Sequence, residues 1–389
     1  MRFLHTSDWH IGRTFHGHST LNALGDVLGE LPRIIREHDV DAVLVPGDLF
    51  DAPTPSASAY ELLERVIRSI REAGAIVIAT SGNHDSATRL GFQSAWARAA
   101  GVHMLTNPER IHEPVVLERS GERVAVYGIP YLEPGLIRHL PGADGVRTHA
   151  EAIDWAMGRV RTDAATRDYP TVVLAHCFAA GVDASDAVLE LERDLTVGGL
   201  DLVPGSAFDG VDYVALGHLH SPSEPSPGVH YSGAPLHLSF DEASKPRGAI
   251  VVEISASAST TTEWVGFPIP RRLTTLCGTL DELLADPSYE RHAEDWVRAV
   301  LTDPLPQIDA MRRLQARFPH CVQLQLRPPA PTRSGASGSS TPSRTNAVSS
   351  RQVTEAFLEH VRGGEPVTED EQHLLEGIFE ALRAQELSR

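Results

Sequence analysis

Residues 76–86 read IVIATSGNHDS, an apolar run that stops at a glycine followed by an amide, an imidazole and a carboxylate. A short apolar run bounded by glycine is typical of a buried strand. The side chains of Asn83 and His84 therefore lie just past the carboxyl end of a predicted strand. Both amide oxygens and imidazoles bind divalent metal ions.

Four other strand-like runs end in the same way, on residues with metal-binding side chains. They are Phe3–His5 before Asp8 and His10, Ala42–Val45 before Asp48, Val172–Leu174 before His176, and Tyr213–Leu216 before His218 and His220. Strands of one sheet bring their ends to one edge, so these donors are predicted to converge. Two carboxylates, an amide and several imidazoles can hold two divalent ions. Two ions about 3.5–4 Å apart are a known arrangement for hydrolysing phosphate esters.

Residues 1–268 are predicted to form one α/β unit. Helical patterns over Leu21–His38 and Ala57–Ala73 alternate with the early strands. Three later strands, which are less clearly separated by helices, are predicted at Arg123–Tyr127, Val229–Ser232 and Gly248–Ile254. We therefore expect a two-sheet sandwich flanked by helices (αββα) and not one open parallel sheet. Glycine precedes three of the donors, at positions 47, 82 and 217, where a strand must turn sharply.

Residues 269–328 are predicted to form a small α+β domain that shapes access to the main site. Two strand candidates, Leu273–Leu280 and Cys321–Leu326, bracket helical patterns at Leu280–Leu284 and Ile308–Phe318. Residues 329–350 consist mostly of Pro, Gly, Ser and Thr. Such a segment cannot bury enough apolar surface to fold, so it is predicted to be a flexible linker.

Residues 351–389 are predicted to contain two short amphipathic helices. Thr368 and Glu371 fit a capping box at the start of the second helix. Its apolar stripe consists of Leu374, Leu375, Ile378, Phe379 and Leu382. Two interpretations remain open: the pair folds back on its own body, or it docks on a helix of a partner.

The formal net charge of −18 argues against a protein that binds DNA alone, because such proteins present a basic face. Either the substrate is small, or a basic partner supplies the contacts to the nucleic-acid backbone. Cys177, Cys277 and Cys321 are widely spaced, which favours small buried residues in a reducing compartment. The amino terminus lacks a basic leader with an apolar block, and no apolar run approaches the ~20 residues that span a bilayer. We therefore expect a cytoplasmic protein.

Five motifs carry a family resemblance. They are HTSDWHIG (residues 5–12), GDLFD (47–51), GNHDS (82–86), DYVALGHLH (212–220) and YSGAPLHLSFDE (231–242). GNHD combined with GHxH resembles the calcineurin-like metallophosphoesterases, and the longer strings resemble the SbcD-type nucleases within them. The resemblance covers residues 1–268 strongly and 269–328 loosely, and it reaches the tail only in architecture.

The resemblance implies a set of metal ligands. Asp8, His10 and His220 would hold one ion; Asn83, His176 and His218 would hold the second; Asp48 would bridge the two. The ions would be Mn²⁺, with Mg²⁺ or Fe²⁺ as alternatives, because oxygen and imidazole donors occur without a thiolate. His84 would stabilise the transition state or protonate the leaving oxygen.

The roles of several neighbouring residues remain open. Asp85 either orients His84 or caps the following helix. Asp51 has a structural role, contacts DNA or takes part in catalysis. Arg13 is a weaker candidate for a contact to DNA, whereas Cys177 is predicted to serve packing. His5, His16 and His18 are predicted to be polar or half-buried side chains without a role in the chemistry.

Three functions are compatible with these residues. The resemblance implies a DNA phosphodiesterase, with 3′-to-5′ exonuclease activity on duplex ends and endonuclease activity at hairpins. It would act with an SbcC-type ATPase, bound through the C-terminal helices, as a homodimer within a heterotetramer. The acidic charge instead suits a phosphatase or phosphodiesterase for a phosphoprotein or a small nucleotide. A non-catalytic scaffold that keeps its metal only for folding would be expected to have lost ligands.

Overall fold

The structure is a computed structural model that describes residues 1–179, 202–329 and 366–386, together with residues 354, 355, 358, 361 and 362. These residues divide into two compact units. One consists of Met1–Leu301 and Gln307–Gln325, and the other of Thr302–Pro306 and Leu326–Arg389. The domain boundaries after 268, 328 and 350 stay predictions.

Seventeen strands are present in the described residues. In chain order, β1 to β17 span Arg2–His5, Thr14–Phe15, His18–Ser19, Ala42–Pro46, Ile76–Thr80, Val102–Met104, Val115–Arg119, Glu122–Ile129, Thr171–His176, Tyr213–Gly217, Ser223–Ser226, Val229–Tyr231, Gly248–Ile254, Thr260–Gly266, Leu273–Gly278, Trp296–Leu301 and Cys321–Leu326.

Ten α-helices are described between these strands and in the tail. In chain order, α1 to α10 span Leu21–Leu28, Leu31–Glu37, Ala57–Glu72, Ala87–Leu90, Ser94–Ala99, Pro134–Ile137, His149–Ala164, Leu280–Ala285, Ala310–Arg317 and Glu369–Glu386. Short 3₁₀ turns lie at Pro108–Arg110, Gly205–Phe208, Phe240–Glu242 and Pro287–His292. None of the described helices is both long and apolar enough to cross a membrane.

Two six-stranded sheets form the body of the first unit. The first sheet has the order β14-β13-β1-β4-β5-β6, and the second has the order β11-β12-β10-β9-β8-β7. β1, β4 and β5 are parallel neighbours in the first sheet, and β9 and β10 are parallel neighbours in the second. Their carboxyl ends therefore lie at a common edge of the sandwich, which we call the rim.

Three apolar clusters hold this architecture together. One lies between the sheets and combines Phe3, Leu44 and Ile78 of the first sheet with Leu174 and Ala215 of the second. The other two clusters cover the outer faces, with α1 to α3 against the first sheet and α6 and α7 against the second. Both sheets are buried on two sides, which explains why their central strands read as continuous apolar runs. The predicted αββα sandwich is confirmed.

The helix predicted over Leu21–His38 is wrong in one respect, because the structure has two helices there, α1 and α2. α1 ends at Gly29, and Pro32 lies in the first turn of α2. Proline lacks a backbone N–H and clashes with the preceding turn, so it is tolerated at a helix start but not inside a helix. The helix predicted over Ala57–Ala73 is confirmed as α3. The Ser56 side chain caps this helix by accepting a hydrogen bond from Ala59 N.

Residues 269–328, which are predicted to be a small domain, contain a three-stranded sheet, β15-β16-β17, with its own apolar cluster. The prediction missed its central strand, Trp296–Leu301. The first four residues of that strand alternate, with Val297 and Ala299 fully buried and Trp296 and Arg298 half-buried, and the following Val300 and Leu301 are both buried. This alternation is the ordinary signature of a strand with one buried face.

The described part of the second unit contains α10. Thr368 Oγ1 accepts a hydrogen bond from Glu371 N at 3.4 Å, and the Glu371 carboxylate accepts one from Thr368 N at 2.9 Å. The predicted capping box is therefore confirmed. Leu374 and Ile378 are 69% and 47% exposed on this helix. Most of the first predicted tail helix, and residues 330–350 of the predicted linker, lie outside the described residues.

Candidate metal centre

The rim brings together all eight donors predicted from the sequence. The first sheet supplies Asp8, His10, Asp48, Asn83 and His84, and the second supplies His176, His218 and His220. Three groups of side chains, each with ligand atoms within 4.8 Å of one another, have the arrangement needed to hold a cation. The groups are Asp8, His10 and His220; Asp8, Asp48 and His176; and His10, Asp48 and His84.

The donors around His10 face one another directly. His10 Nε2 lies 3.1 Å from His220 Nε2, and the same nitrogen lies 3.6 Å from Asp48 Oδ2. Two imidazole nitrogens this close can share one proton or turn both lone pairs toward a cation. Ser7 Oγ donates to Asp8 Oδ2 at 2.5 Å, which fixes that carboxylate beside them.

A second set of donors surrounds the side-chain oxygen of Asn83. This oxygen lies 2.9 Å from His176 Nε2 and 3.2 Å from His218 Nδ1. His176 Nε2 is also 3.5 Å from Asp48 Oδ2. Asp48 therefore lies between both sets, as a bridging carboxylate requires.

Burial shapes the protonation of these groups. Burial raises the pKa of the Asp8 carboxyl to about 8, and the neighbouring Asp48 adds to that rise. For Asp48, burial opposes ionisation, but His176 and His10 bring its pKa below the usual range. Burial lowers the pKa of His10 to about 4 and that of His218 to about 3, so both rings are neutral. Neutral imidazoles beside carboxylates that water cannot solvate fit divalent cations.

The backbone at the rim is held in conformations that non-glycine residues seldom adopt. Four of the donors at the rim have positive φ angles: Asp8 (54°), His10 (45°), Asp48 (50°) and His218 (109°). Such conformations cost of order 1–3 kcal/mol each and cluster at functional sites. The sharp turns aim each side chain back over the strand ends.

Two glycines at the rim are required by close approach. A Cβ on Gly82 would collide with the Asp48 side chain, and one on Gly217 would collide with the Pro46 carbonyl. The sequence analysis interpreted glycines 47, 82 and 217 as marks of sharp turns. Of these three, only Gly47 has a positive φ angle (+92°). At the other two positions the absent side chain makes room for a neighbouring strand end.

Comparison with known proteins identifies the family. The model of the calcineurin-like phosphoesterases matches residues 1–222, which is more than half of the chain. The chain belongs to the calcineurin-like phosphoesterase family. A second model, described as the Type 5 capsule protein repressor C-terminal domain, matches residues 269–362.

One relative and two solved structures are similar to this chain over most of its length. The SbcD component of the nuclease SbcCD from Staphylococcus saprophyticus is 27% identical over 326 residues, covering 83% of this chain and 84% of the relative. A dimetal phosphatase from Danio rerio (13% identity, TM-score 0.39) covers 68% of this chain and 96% of its own. The NAD nucleotidase of Haemophilus influenzae (12% identity, TM-score 0.37) covers 84% and 64%. These TM-scores are too low to define the fold, which rests on the family match and the sheet topology.

The phosphoesterase family and the donor cluster together establish the general chemistry. The chain is a metal-dependent phosphoester hydrolase that uses divalent metal ions. When bound, such ions lower the pKa of water and offset charge on a phosphoryl group. The protein contributes the positions of the donors and a pocket in which Asp8, Asp48 and His176 are at most 2% exposed.

Asp85 fulfils neither of the two roles considered from the sequence. Its carboxylate accepts hydrogen bonds from Leu49 N, Phe50 N and Gly82 N at 3.2, 2.9 and 3.0 Å. Ser86, not Asp85, caps α4. Asp85 therefore fastens the loop that carries Asp48 to the loop that carries Asn83.

Asp51 and Arg13 form a pair at the entrance of the pocket. Arg13 Nη1 donates to Asp51 Oδ1 at 2.8 Å, and the same oxygen lies 3.2 Å from His10 Nδ1. Asp51 thereby orients a metal-binding ring, which supports the structural interpretation of this residue. His84 is oriented by the main chain of the same residue, because its Nδ1 lies 3.0 Å from Asp51 O. That contact leaves Nε2 of His84 available to a substrate.

Two residues behind His220 were missed from the sequence. Glu242 and Arg247, each 3% exposed, form an ion pair with Arg247 Nη2 at 2.9 Å from Glu242 Oε2. Glu242 Oε1 lies 3.6 Å from His220 Nδ1, and Arg247 Nη1 donates to the His220 carbonyl. Glu242 is the last residue of the motif at 231–242, but the sequence analysis assigned no partner to its carboxylate.

The predictions for the remaining residues have mixed outcomes. His16 and His18 are exposed, and Cys177 is buried among apolar side chains, as predicted. Cys277, in contrast, is exposed, because it lies on the outer side of the edge strand β15. His5 is fully buried, not half-buried.

Proposed function

We propose that the chain is a two-metal DNA phosphodiesterase that acts on duplex ends as a 3′-to-5′ exonuclease and on hairpins as an endonuclease. It would work in the cytoplasm with an SbcC-type ATPase in DNA repair and recombination. The observation that carries the proposal is the convergence of seven metal donors and His84 at one rim. The 27% identical relative, a component of the nuclease SbcCD, gives the class of activity.

The donors divide between two ions. Asp8, His10 and His220 hold the first, since the two Nε2 atoms and the Asp8 carboxylate form one of the compact groups. Asn83, His176 and His218 hold the second, because both rings face the Asn83 oxygen. Asp48 bridges the ions, since its carboxylate lies within 3.6 Å of His10 and His176. We assign Mn²⁺ to both positions, because the donors are oxygen and imidazole without thiolate.

His84 acts on the substrate in this proposal and not as a ligand. Its backbone N–H donates to Asp48 Oδ1 at 3.0 Å, which places the ring beside the bridging carboxylate. Its ring centroid lies 4.8 Å from that of His10. From there Nε2 can stabilise charge on a phosphoryl oxygen or transfer a proton to the leaving oxygen.

The acidic charge of the chain is reconciled with DNA by a partner. Two divalent cations make the pocket attractive to one phosphate, but the net charge of −18 repels a long duplex. An ATPase partner would supply the basic surface. It would bind α10, on which Leu374 and Ile378 are exposed in a pattern that fits a helical groove.

We further propose that the chain acts as a homodimer within a heterotetramer. The apolar face of α3 (Leu62, Val66 and Ile70) is at most 3% exposed and belongs to the core, so the dimer interface must lie elsewhere. Phe92, just before α5, is 74% exposed, and Trp96, within α5, is 81% exposed. Together they offer the aromatic surface that such an interface uses. The dimer is tested by sedimentation of a Trp96→Asp variant, which should shift to the monomer.

The function is tested by Mn²⁺-dependent cleavage of a DNA hairpin. The wild type should cleave, and Asp48→Ala and His84→Ala should lose roughly 10²–10³-fold or more in rate, as for removal of a transition-state donor. Matched controls are Asp39→Ala and His38→Ala, which lie just after α2 and before β4, at the opposite end of the first sheet. Equal cleavage by all five proteins would exclude the assignment.

A second function, hydrolysis of a phosphoprotein or small nucleotide at the same site, is favoured by the net charge. It is separated from the first by comparing turnover of an aryl phosphomonoester, a bis-aryl phosphodiester and duplex DNA. DNA turnover well above both small substrates supports the nuclease. Preference for the monoester supports the phosphatase.

A further inference from the structure

The proposed ligands come from two different sheets, so the site depends on how those sheets are aligned. Each ion combines donors from the first sheet with donors from the second. The interlayer cluster between the sheets is apolar, and apolar packing has little directional preference. Directional bonds near the rim are therefore needed to fix the strand ends to within the tolerance of a metal site, about 0.5 Å.

One such bond is made by a ligand itself. His176, at the end of β9, has Nδ1 2.9 Å from the Pro46 carbonyl at the end of β4. A carbonyl only accepts, so Nδ1 carries the hydrogen and Nε2 is left for the metal. Pro46 lies two residues before Asp48, and the bond thus ties the second sheet to the loop of the bridging carboxylate.

A second hydrogen bond also joins an imidazole of one sheet to a main-chain carbonyl of the other. Here the imidazole belongs to the first sheet, and it is not a predicted metal ligand. His5, at the end of β1, has Nε2 3.1 Å from the Leu216 carbonyl in β10. Leu216 lies two residues before His218. The other nitrogen of the ring, Nδ1, is 3.0 Å from the hydroxyl of Tyr213, also in β10.

These two contacts define the state of the His5 ring. Nε2 must carry the hydrogen, because the Leu216 carbonyl can only accept. Nδ1 of the neutral ring then accepts from the Tyr213 hydroxyl. His5 is fully buried, so an imidazole that lost either contact would retain a polar atom that water cannot reach.

We propose that His5 is a positioning residue, which aligns the end of β10 with the end of β1 and so sets the distance between the two groups of metal ligands. This role rests on the proposed two-metal function. Two residues after Leu216, which His5 contacts, His218 N donates to Asp8 Oδ1 at 2.9 Å. This hydrogen bond joins proposed ligands from the two sheets. A shift of β10 relative to β1 breaks this contact, and moves His218 and His220 away from Asp8 and His10.

Three variants test the proposal. His5→Phe keeps the ring volume but removes both bonds. His5→Gln keeps an amide N–H that can donate to Leu216, and Tyr213→Phe removes only the hydroxyl. Val252→Ala is the control for lost stability, because Val252 is fully buried between the sheets and is not a predicted ligand.

The measurements are Mn²⁺ titration calorimetry, thermal unfolding and steady-state kinetics on a hairpin. His5→Phe should bind Mn²⁺ about 10–100-fold more weakly and lower kcat with little change in KM, as outer-shell partners of metal ligands do. His5→Gln should recover most of the affinity. Tyr213→Phe should have a smaller effect, and Val252→Ala should bind Mn²⁺ as the wild type does despite a lower Tm.

Wild-type Mn²⁺ affinity in His5→Phe would overturn the positioning role, as would equal loss of affinity in His5→Phe and Val252→Ala. In both cases His5 would serve packing only. Failure of the proposed function has a different signature, since the wild type itself would then bind no pair of Mn²⁺ ions or would leave DNA intact. Calorimetry separates the two, because it does not depend on the substrate.

Discussion

The rim and helix α10 depart from ordinary protein surfaces in opposite ways. At the rim, ionisable side chains are withdrawn from water, with Asp8 fully buried and His10 and His176 1% exposed. On α10, apolar side chains face water, with Leu374 69% exposed. Buried charge without compensation and exposed apolar surface are both unfavourable. We propose that each region is completed by something else: cations at the rim, and a protein partner on the helix.

The largest expected effect comes from removing the cations. Dialysis against EDTA should lower hairpin cleavage by at least about 10³-fold, because the residues alone lack a strong nucleophile. Excess Mn²⁺ should restore activity and raise Tm, since a ligand at 100 times its Kd adds about 2.7 kcal/mol to the free energy of unfolding. Cleavage and calorimetry are measured on the same sample. EDTA saturated with Mn²⁺ beforehand is the control. Full activity in metal-free protein would contradict the proposal that cations complete the rim.

The next effect separates buried from exposed ion pairs beside the rim. Glu242→Ala should lower the free energy of unfolding by about 3–5 kcal/mol, because it leaves the buried Arg247 guanidinium uncompensated. The adjacent residue offers a matched control, since Asp241 pairs with Arg298 and is 48% exposed. Asp241→Ala should cost no more than about 1 kcal/mol. Urea unfolding measures both, and equal losses would show that burial at this position is unimportant.

A smaller effect is expected on the helix. Leu374→Asp combined with Ile378→Asp should weaken binding to a purified SbcC-type ATPase by about 30-fold or more, as for loss of interface anchors worth about 2 kcal/mol. Hairpin cleavage by the isolated chain and its Tm should not change. His373→Asp, a neighbour that is 90% exposed, is the control. If the double variant destabilises the chain, the helix belongs to its own core.

The smallest effect is on pH. The pKa of Asp8 is raised to about 8, so below that pH the metal must displace a proton. Apparent Mn²⁺ affinity should fall about fivefold between pH 8 and 7, approach about tenfold per unit below pH 7, and level off about one unit above the pKa. His10 and His218 do not add to this slope, because their pKa values lie near 4 and 3. Calorimetry in two buffers of different ionisation enthalpy counts the released proton, and zero release at pH 7 would refute the assignment.

The donors could be predicted from the sequence because strand ends carry a simple rule. Apolar runs identify the central strands, and parallel strands deliver the residues that follow them to one edge. That rule placed Asp8, Asp48 and Asn83 at the rim without knowledge of the contacts. The αββα sandwich was predicted from a different feature, the later strands that are not clearly separated by helices.

Contacts between distant segments could not be predicted in this way. The partner of His5 is a main-chain carbonyl 211 residues away, and a carbonyl has no sequence signature. Asp85 fastens two loops through backbone amides, which are equally invisible in the sequence. The break between α1 and α2 was within reach, because Pro32 is visible in the sequence. The tail helix was recognisable from its capping box, but its apolar stripe alone does not distinguish a partner helix from the chain's own body.

The left-handed backbone at Asp8, His10, Asp48 and His218 limits how this site can evolve or be redesigned. Branched side chains such as valine or threonine are excluded at these positions by sterics alone, whatever their chemistry. Glycine, asparagine, aspartate and histidine are the residues that best tolerate this backbone, and the last three offer metal donors. A change of metal preference that needs any other residue type is therefore confined to positions such as Asn83 and His176, where the main chain is unconstrained by a positive φ.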